Sequence, residues 1–249
     1  RHELHNISLS ATRQGDSWLL DGEKVNVLHA GQADYLNVSA RSRGDARDTN
    51  GISLFVVPVD SAGVTLHESR NNDGMRSATV QCKQVHVSAT ALLGKEAEGW
   101  DMLDAAADHG VSLLCSEALG VMEALQAATL EYIRTRQQFG VPIGKFQVLQ
   151  HRMVDMFMEV EQSKSMTTMA TLKLDLPAAE RMAAVSACKA KVSRSAKFVE
   201  QSAIQTHGGI GITQELAIGH FFKRATMIEN QFGSADHHYE RFERLTLAD

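Results

Sequence analysis

The residues best equipped for chemistry fall in three places. Arg134 to Arg152, RTRQQFGVPIGKFQVLQHR, sets Arg134, Arg136 and several glutamines around a Phe139-Gly140-Val-Pro142-Ile-Gly144 corner. Arginine offers a permanently charged planar fork to phosphate or carboxylate oxygens, and Phe139 offers an apolar ring for stacking. Further on comes Gln205-Thr-His-Gly-Gly-Ile-Gly211. Gly208 and Gly209 there have no Cβ, so a diphosphate can approach backbone N–H groups. The spacing is not that of a P-loop, and no Lys-Ser/Thr follows. Asp108-His109 and Asp236-His-His238 supply groups able to move a proton. A metal role for His237-His238 is disfavoured, because helical neighbours point about 100° apart and no matching Cys/His set follows.

Helices must hold these groups in place. Leu113, Leu119, Met122, Leu125, Leu130 and Ile133 recur at helical spacing before the corner. Phe146, Leu149, Met153, Met156 and Val160 share one face after it. Pro142 lacks an N–H, and Gly140 and Gly144 can adopt angles closed to other residues. Spacing alone allows either a plain helix hairpin with a polar elbow or a binding corner, and Arg136 could equally pair with Glu131 or Asp155. Helices are predicted over 98–137, 146–175, 178–206 and 213–231, with Pro177 opening the third and glycines 208–211 ending it. The third carries Val185, Cys188, Val192 and Val199 as its core stripe. Lys189, Lys191, Arg194 and Lys197 are expected as solvated neighbours. Asp236 should sit at a polar helix start, where its charge is favoured. Short connections make these helices an antiparallel bundle.

The first part of the chain reads as β. Trp18 to Lys24 predicts a hairpin turning at Asp21-Gly22. Strands follow at Tyr35–Ala40, 52–59 and 78–87, with a charged loop at 41–50 and a turn at Asn71-Asn-Asp-Gly74. Short strands with polar turns imply an antiparallel barrel or sandwich. The class is therefore α+β, with a β domain over 1–94 and a helical bundle over 95–249.

Composition narrows the function. The 249 residues are 43% hydrophobic and 22% charged with net charge −5, the profile of an ordinary folded protein. No basic block argues for nucleic acid. No apolar run is read as a membrane span or a signal peptide, so a cytoplasmic protein is expected. Cys82, Cys115 and Cys188 lie far apart in apolar settings and are read as reduced core residues.

Arg-Thr-Arg-Gln-Gln-Phe-Gly followed by Ile-Gly-Lys-Phe-Gln-Val-Leu-Gln-His resembles the FAD-dependent acyl-CoA dehydrogenase family, and Gln205 to Gly211 resembles its second signature. The resemblance runs from about Leu9 to Arg244. It is nearest the branch acting on steroid side-chain or dicarboxylic acyl-CoA thioesters, where two unlike subunits share the work. It implies a middle β domain and C-terminal bundle without the usual N-terminal helical domain. It implies that Gln205, Gly208 and Gly209 hold a flavin diphosphate, while Arg136 and Phe139 grip its adenosine end across a subunit boundary. The acyl-CoA substrate would be oxidised in lipid β-oxidation or steroid degradation, with electrons passed to an electron-transfer flavoprotein or similar acceptor.

Three departures from the family pattern matter. The positions that back the flavin ring fall on Asn26 and Leu28, which neither stack nor donate. The family's glutamate base falls on Phe232, and its alternative position on Gly110. The resemblance thus implies a heterotetramer in which a homologous partner carries the base. Two other readings stand beside it: a homomeric flavoenzyme with a displaced base such as Asp236, and an inactive structural subunit.

Overall fold

Alternation of inward and outward side chains builds the first unit, Arg1–Ala106. The computed structural model describes residues 2–247. Strands β1 (Ser10–Gln14), β2 (Ser17–Leu28), β3 (Tyr35–Arg41), β4 (Ile52–Pro58), β5 (Val64–Arg70), β6 (Arg76–Ser88) and β7 (Leu92–Leu93) form one sheet ordered β5-β6-β2-β1-β3-β4-β7. Neighbours are antiparallel except β1 and β3, which run parallel and meet at Ser10 and Arg41. Trp18 on β2 and Phe55 on β4 are three strands apart in that order, yet their ring centroids are 5.3 Å apart. A flat sheet would separate them by roughly 14 Å. The sheet therefore curls over on itself to bury Leu9, Trp18, Leu20, Val38 and Phe55.

The hairpin expected at Asp21-Gly22 lies elsewhere. Gly15 and Asp16 make the turn, since Gln14 faces Ser17 across the β1–β2 pair. Gly22 instead sits at a bulge inside β2, where the register slips between Leu20 and Gly22. Its φ is 135°, and a Cβ there would fall 2.8 Å from the Leu9 Cα. Bulges and hairpin turns both ask for positive φ, so the residue pair alone does not separate them. A second slip between Lys24 and Val27 holds Asn26 at φ 53°. Asn26 and His29 are both exposed, with His29 at φ 58°. Lys24 is half-buried, with Nζ donating to Ser39 Oγ at 3.0 Å, and burial pulls its pKa down to about 8.

The second unit, Ala107–Asp249, is helical. Helix α1 (Trp100–Thr135) begins in the first unit and is followed by α2 (Gln147–Leu172), α3 (Ala178–His207), α4 (Ala217–Asn230) and α5 (Ala235–Thr246). Val111, Cys115, Met122 and Leu125 of α1 share one core with Met156, Val160, Val185, Val192 and Ile228. Contrary to the sequence expectation, α1 is long and apolar enough by length and composition to cross a membrane. The same test is passed by a core helix, and α1 contributes to the bundle core. The three cysteines are free and buried.

Lys189 is the larger correction. It is wholly buried, and its Nζ donates to Ile228 O at 2.5 Å. Val185 to Lys189 is four residues and Lys189 to Val192 three, so the lysine lies inside the α3 core stripe rather than beside it. Burial lowers its pKa.

Glu200, farther along α3, is 3% exposed. Its Oε1 accepts from Thr226 Oγ1 at 3.4 Å, and its Oε2 has no partner. Burial pushes its pKa up to about 8. Folded protein therefore keeps this proton between about pH 4.5 and 8 while unfolded chain releases it, so stability falls as pH rises through that window. Glu200→Gln should match wild type near pH 5 and melt several degrees higher near pH 8 (~2–4 °C per kcal/mol at this size). Thermal unfolding across that range checks it, and an offset independent of pH would assign the effect to packing.

Candidate functional site

Helices α1 and α3 end together. The Tyr132 ring stacks on His207 with centroids 4.3 Å apart, and its hydroxyl donates to His207 O at 3.3 Å. The corner after α1 and the glycines after α3 are thus brought to the same end of the bundle. Tyr132 lies four residues before Arg136, and His207 directly precedes Gly208. Neither residue stands among the candidates the sequence offers, because a contact across 75 residues leaves no local pattern.

The corner itself is small. Gln137–Gln138 (β8) pairs with Val141–Pro142 (β9), leaving Phe139 and Gly140 as a two-residue turn with φ 55° and 77°. Such angles suit a primed hairpin turn but are unfavourable for a bulky residue. Phe139 is nevertheless 90% exposed, touching Phe146 edge-on at 6.0 Å. Arg136 is exposed, and its side chain has no hydrogen-bond or ion-pair partner among the described residues, Glu131 and Asp155 included. Gln205, Gly208 and Gly209 are also exposed. Gly208 caps α3 at φ 66°, which accounts for glycine there. A Cβ on Gly209 would meet nothing within 4 Å, so no packing inside the chain demands glycine at that place.

A second place joins two positions 122 residues apart. A Cβ added to Gly110 on α1 would fall 2.9 Å from Phe232 Cζ, so the phenylalanine ring covers Gly110. Phe232 lies just after α4 with φ 55°. Its carbonyl accepts from His238 Nε2 at 3.0 Å. Burial pushes the His238 pKa down to about 3, so the ring is neutral, and an Nε2–H facing a carbonyl leaves Nδ1 bare. That Nδ1 is buried without a partner.

Residues 97–244 match the family model for the acyl-CoA dehydrogenase C-terminal domain, and residues 2–87 match that for the middle domain. The chain belongs to the acyl-CoA dehydrogenase family. It is 30% identical over 243 residues to a probable acyl-CoA dehydrogenase of Bacillus subtilis, covering 96% of this chain and 62% of that one. It is 28% identical over 244 residues to the mitochondrial short-chain specific acyl-CoA dehydrogenase of Rattus norvegicus, covering 97% and 58%. The chain thus spans about three fifths of the length of these relatives. A solved structure described as an electron transferring flavoprotein of Acidaminococcus fermentans superposes with TM-score 0.91 at 27% identity, covering 98% of this chain and 64% of that one. The glutaryl-coenzyme A dehydrogenase complex with glutaryl-CoA shares the fold, with TM-score 0.92 at 24% identity, covering 97% and 62%. Homologues in the family are FAD-dependent flavoproteins.

The two aspartates singled out in the sequence, Asp108 and Asp236, are both ion-paired within the chain. Asp108 is 1% exposed and accepts from Arg181 Nε at 2.9 Å and Arg241 Nη1 at 2.7 Å. Asp236 opens α5, which Ser234 caps. Its side chain is 85% exposed and paired with Arg194 at 3.3 Å. His237 packs edge-on against His238. No group of three or more His, Cys, Asp or Glu able to hold a metal occurs among the described residues. Because two arginines share one buried carboxylate, Asp108→Asn should destabilise the bundle by about 3–5 kcal/mol. Chemical denaturation checks this. A stable variant with lost turnover would instead place Asp108 in the chemistry.

Proposed function

We propose that this chain is one subunit of a heteromeric FAD-dependent acyl-CoA dehydrogenase that introduces an α,β double bond into an acyl-CoA thioester. The observation that carries this reading is the Phe232 ring on Gly110: both positions that resemble homes of the base meet, and neither holds one. A homologous partner supplies the glutamate that removes the α proton. Bound FAD supplies the acceptor for the β hydrogen as hydride. This chain supplies the grip on the cofactor. Arg136 holds phosphate oxygens with an unpaired fork, Phe139 presents its exposed ring to the adenosine end, and Gln205 with Gly208 and Gly209 leaves an open backbone surface for the diphosphate. The open space over Gly209 and the unpartnered Arg136 fit such a group. Asn26 and Leu28 do not fit a flavin ring, which accords with a ring held mainly by the partner. The same reading carries a cytoplasmic heterotetramer acting on a steroid side-chain or dicarboxylic acyl group and passing electrons to an electron-transfer flavoprotein.

The test is flavin stoichiometry for this chain alone and for the chain co-purified with its native neighbour. Substoichiometric flavin alone and one flavin per pair together is expected. Full loading of the isolated chain would overturn the shared site. Steroid side-chain thioesters should reduce the assembled flavin faster than plain fatty acyl-CoAs, and equal reduction would remove the steroid preference.

Asp236→Ala should leave most of the assembled enzyme's turnover intact, because an exposed ion-paired carboxylate is not a base. A general base is typically worth ~100-fold or more, and a loss of that size with FAD bound would restore the homomeric reading. Arg136→Ala should weaken flavin retention by roughly 10- to 150-fold, the equivalent of a charge-assisted contact of about 1.5–3 kcal/mol. Lysine should rescue it only in part. Unchanged FAD affinity with a lowered melting point would make Arg136 structural.

A further inference from the structure

We propose that the open cleft at the helix corner binds a small amphipathic anion, a short apolar chain with a charged head. The cleft, of about 450 Å³, is lined by Leu130, Ile133 and Met153 with Pro142, and by Arg134 and Lys145. Its size falls in the range of small-molecule sites, roughly 300–1,000 Å³. Arg136 and Phe139 do not line it, so it is a separate place from the proposed cofactor grip and does not depend on that reading.

Two features make it more than a surface dent. One wall is fixed: a Cβ on Gly144 would fall 2.9 Å from Ile133 O, so only glycine lets the corner close on α1 this tightly. Gln150 Nε2 donates to Gly144 O at 2.9 Å and locks that closure. The charge is uncompensated as well. From Arg134 to Arg152 the chain carries Arg134, Arg136, Lys145 and Arg152 and no Asp or Glu, within a protein of net charge −5. Neither Arg134 nor Lys145 has a side-chain hydrogen bond or ion pair among the described residues. Their aliphatic stems extend the apolar lining while the charged heads stay hydrated. Apolar walls with two unpaired cations complement a ligand that is apolar along its length and anionic at one end. A neutral chain leaves the cations unused, and a bare anion leaves the apolar walls wet.

Octanoate titrated calorimetrically into the assembled, flavin-loaded protein tests this. One saturable site per chain is expected, with octanol and acetate each binding at least ~10-fold more weakly, about 1.4 kcal/mol. The Arg134→Gln/Lys145→Gln double variant alters only exposed side chains, so it should fold, keep its flavin and lose octanoate affinity ~10-fold or more. Lys145→Glu should weaken binding on its own. Equal binding of octanol would reduce the site to a plain apolar cleft. Octanoate binding unchanged in both variants, or displaced in proportion to added FAD, would overturn the assignment.

Discussion

A single buried lysine sets the geometry on which the helical unit depends. Lys189 reaches from the middle of α3 to Ile228 O in the last turn of α4. Ile228 O also accepts from Gln231 N–H at 3.2 Å, so the lysine adds a second, side-chain donor at the helix C-terminus. With that carbonyl pinned, the chain leaves α4 in a fixed direction and reaches Phe232 four residues later. His238, neutral because it is buried, then holds the Phe232 carbonyl from the other side. Breaking either link would release a residue whose φ of 55° is unfavourable without support. The ring over Gly110 is therefore the outcome of a polar core network as much as of apolar packing.

Phe232 has a counterpart at the other functional place. Gln138-Phe139-Gly140 and Gln231-Phe232-Gly233 are the same tripeptide, and in each the phenylalanine sits at φ 55° with a positive-φ glycine after it. In both cases glycine absorbs the rest of the reversal and lets an aromatic side chain project from a corner. The destinations differ. One ring is anchored over Gly110 through a histidine, while the other stands 90% exposed. The Phe232 backbone is held by the chain's own packing, whereas the Phe139 ring meets Phe146 edge-on and is otherwise left to solvent.

Periodicity made the helices and most strands legible, because burial on one face writes a 3.6- or 2-residue pattern into the sequence. Helix α4 starts at Ala217, four residues past the expected 213, since residues 213–216 bend after the Gly208–Ile212 3₁₀ segment before the helix begins. Asp21-Gly22 suits a hairpin turn and a bulge alike, because both make the same backbone demand, and the chain uses it as a bulge. The charge of Lys189 argues for solvent, but the i+4 step from Val185 places it in the core. The five candidate cofactor residues were legible as two motifs, but not what joins them: the Tyr132–His207 stack is a contact across 75 residues, and no local rule encodes it. Nor could spacing show that Gly110 and Phe232 meet.

Where charge is balanced and where it is not then separates structure from function in the helical unit. Inside, Asp108 is matched by two arginines, and half-buried Glu159 is matched by Lys191 and Ser195, each contact at 2.6 Å. Both groups of contacts serve the fold, and removing the partners of Asp108, 1% exposed, would leave a buried uncompensated charge. At the corner the balance fails: Arg134, Arg136 and Lys145 face no acid among the described residues. Free exposed cations are ordinary one at a time, since water solvates them well. Three on one glycine-shaped bend are different, because mutual repulsion works against their clustering and no internal partner relieves it. Glycine at 144 is demanded by the approach to Ile133, whereas glycine at 209 is demanded by nothing within the chain. The bend is thus drawn close against α1 at Gly144 while its charged side chains stay exposed.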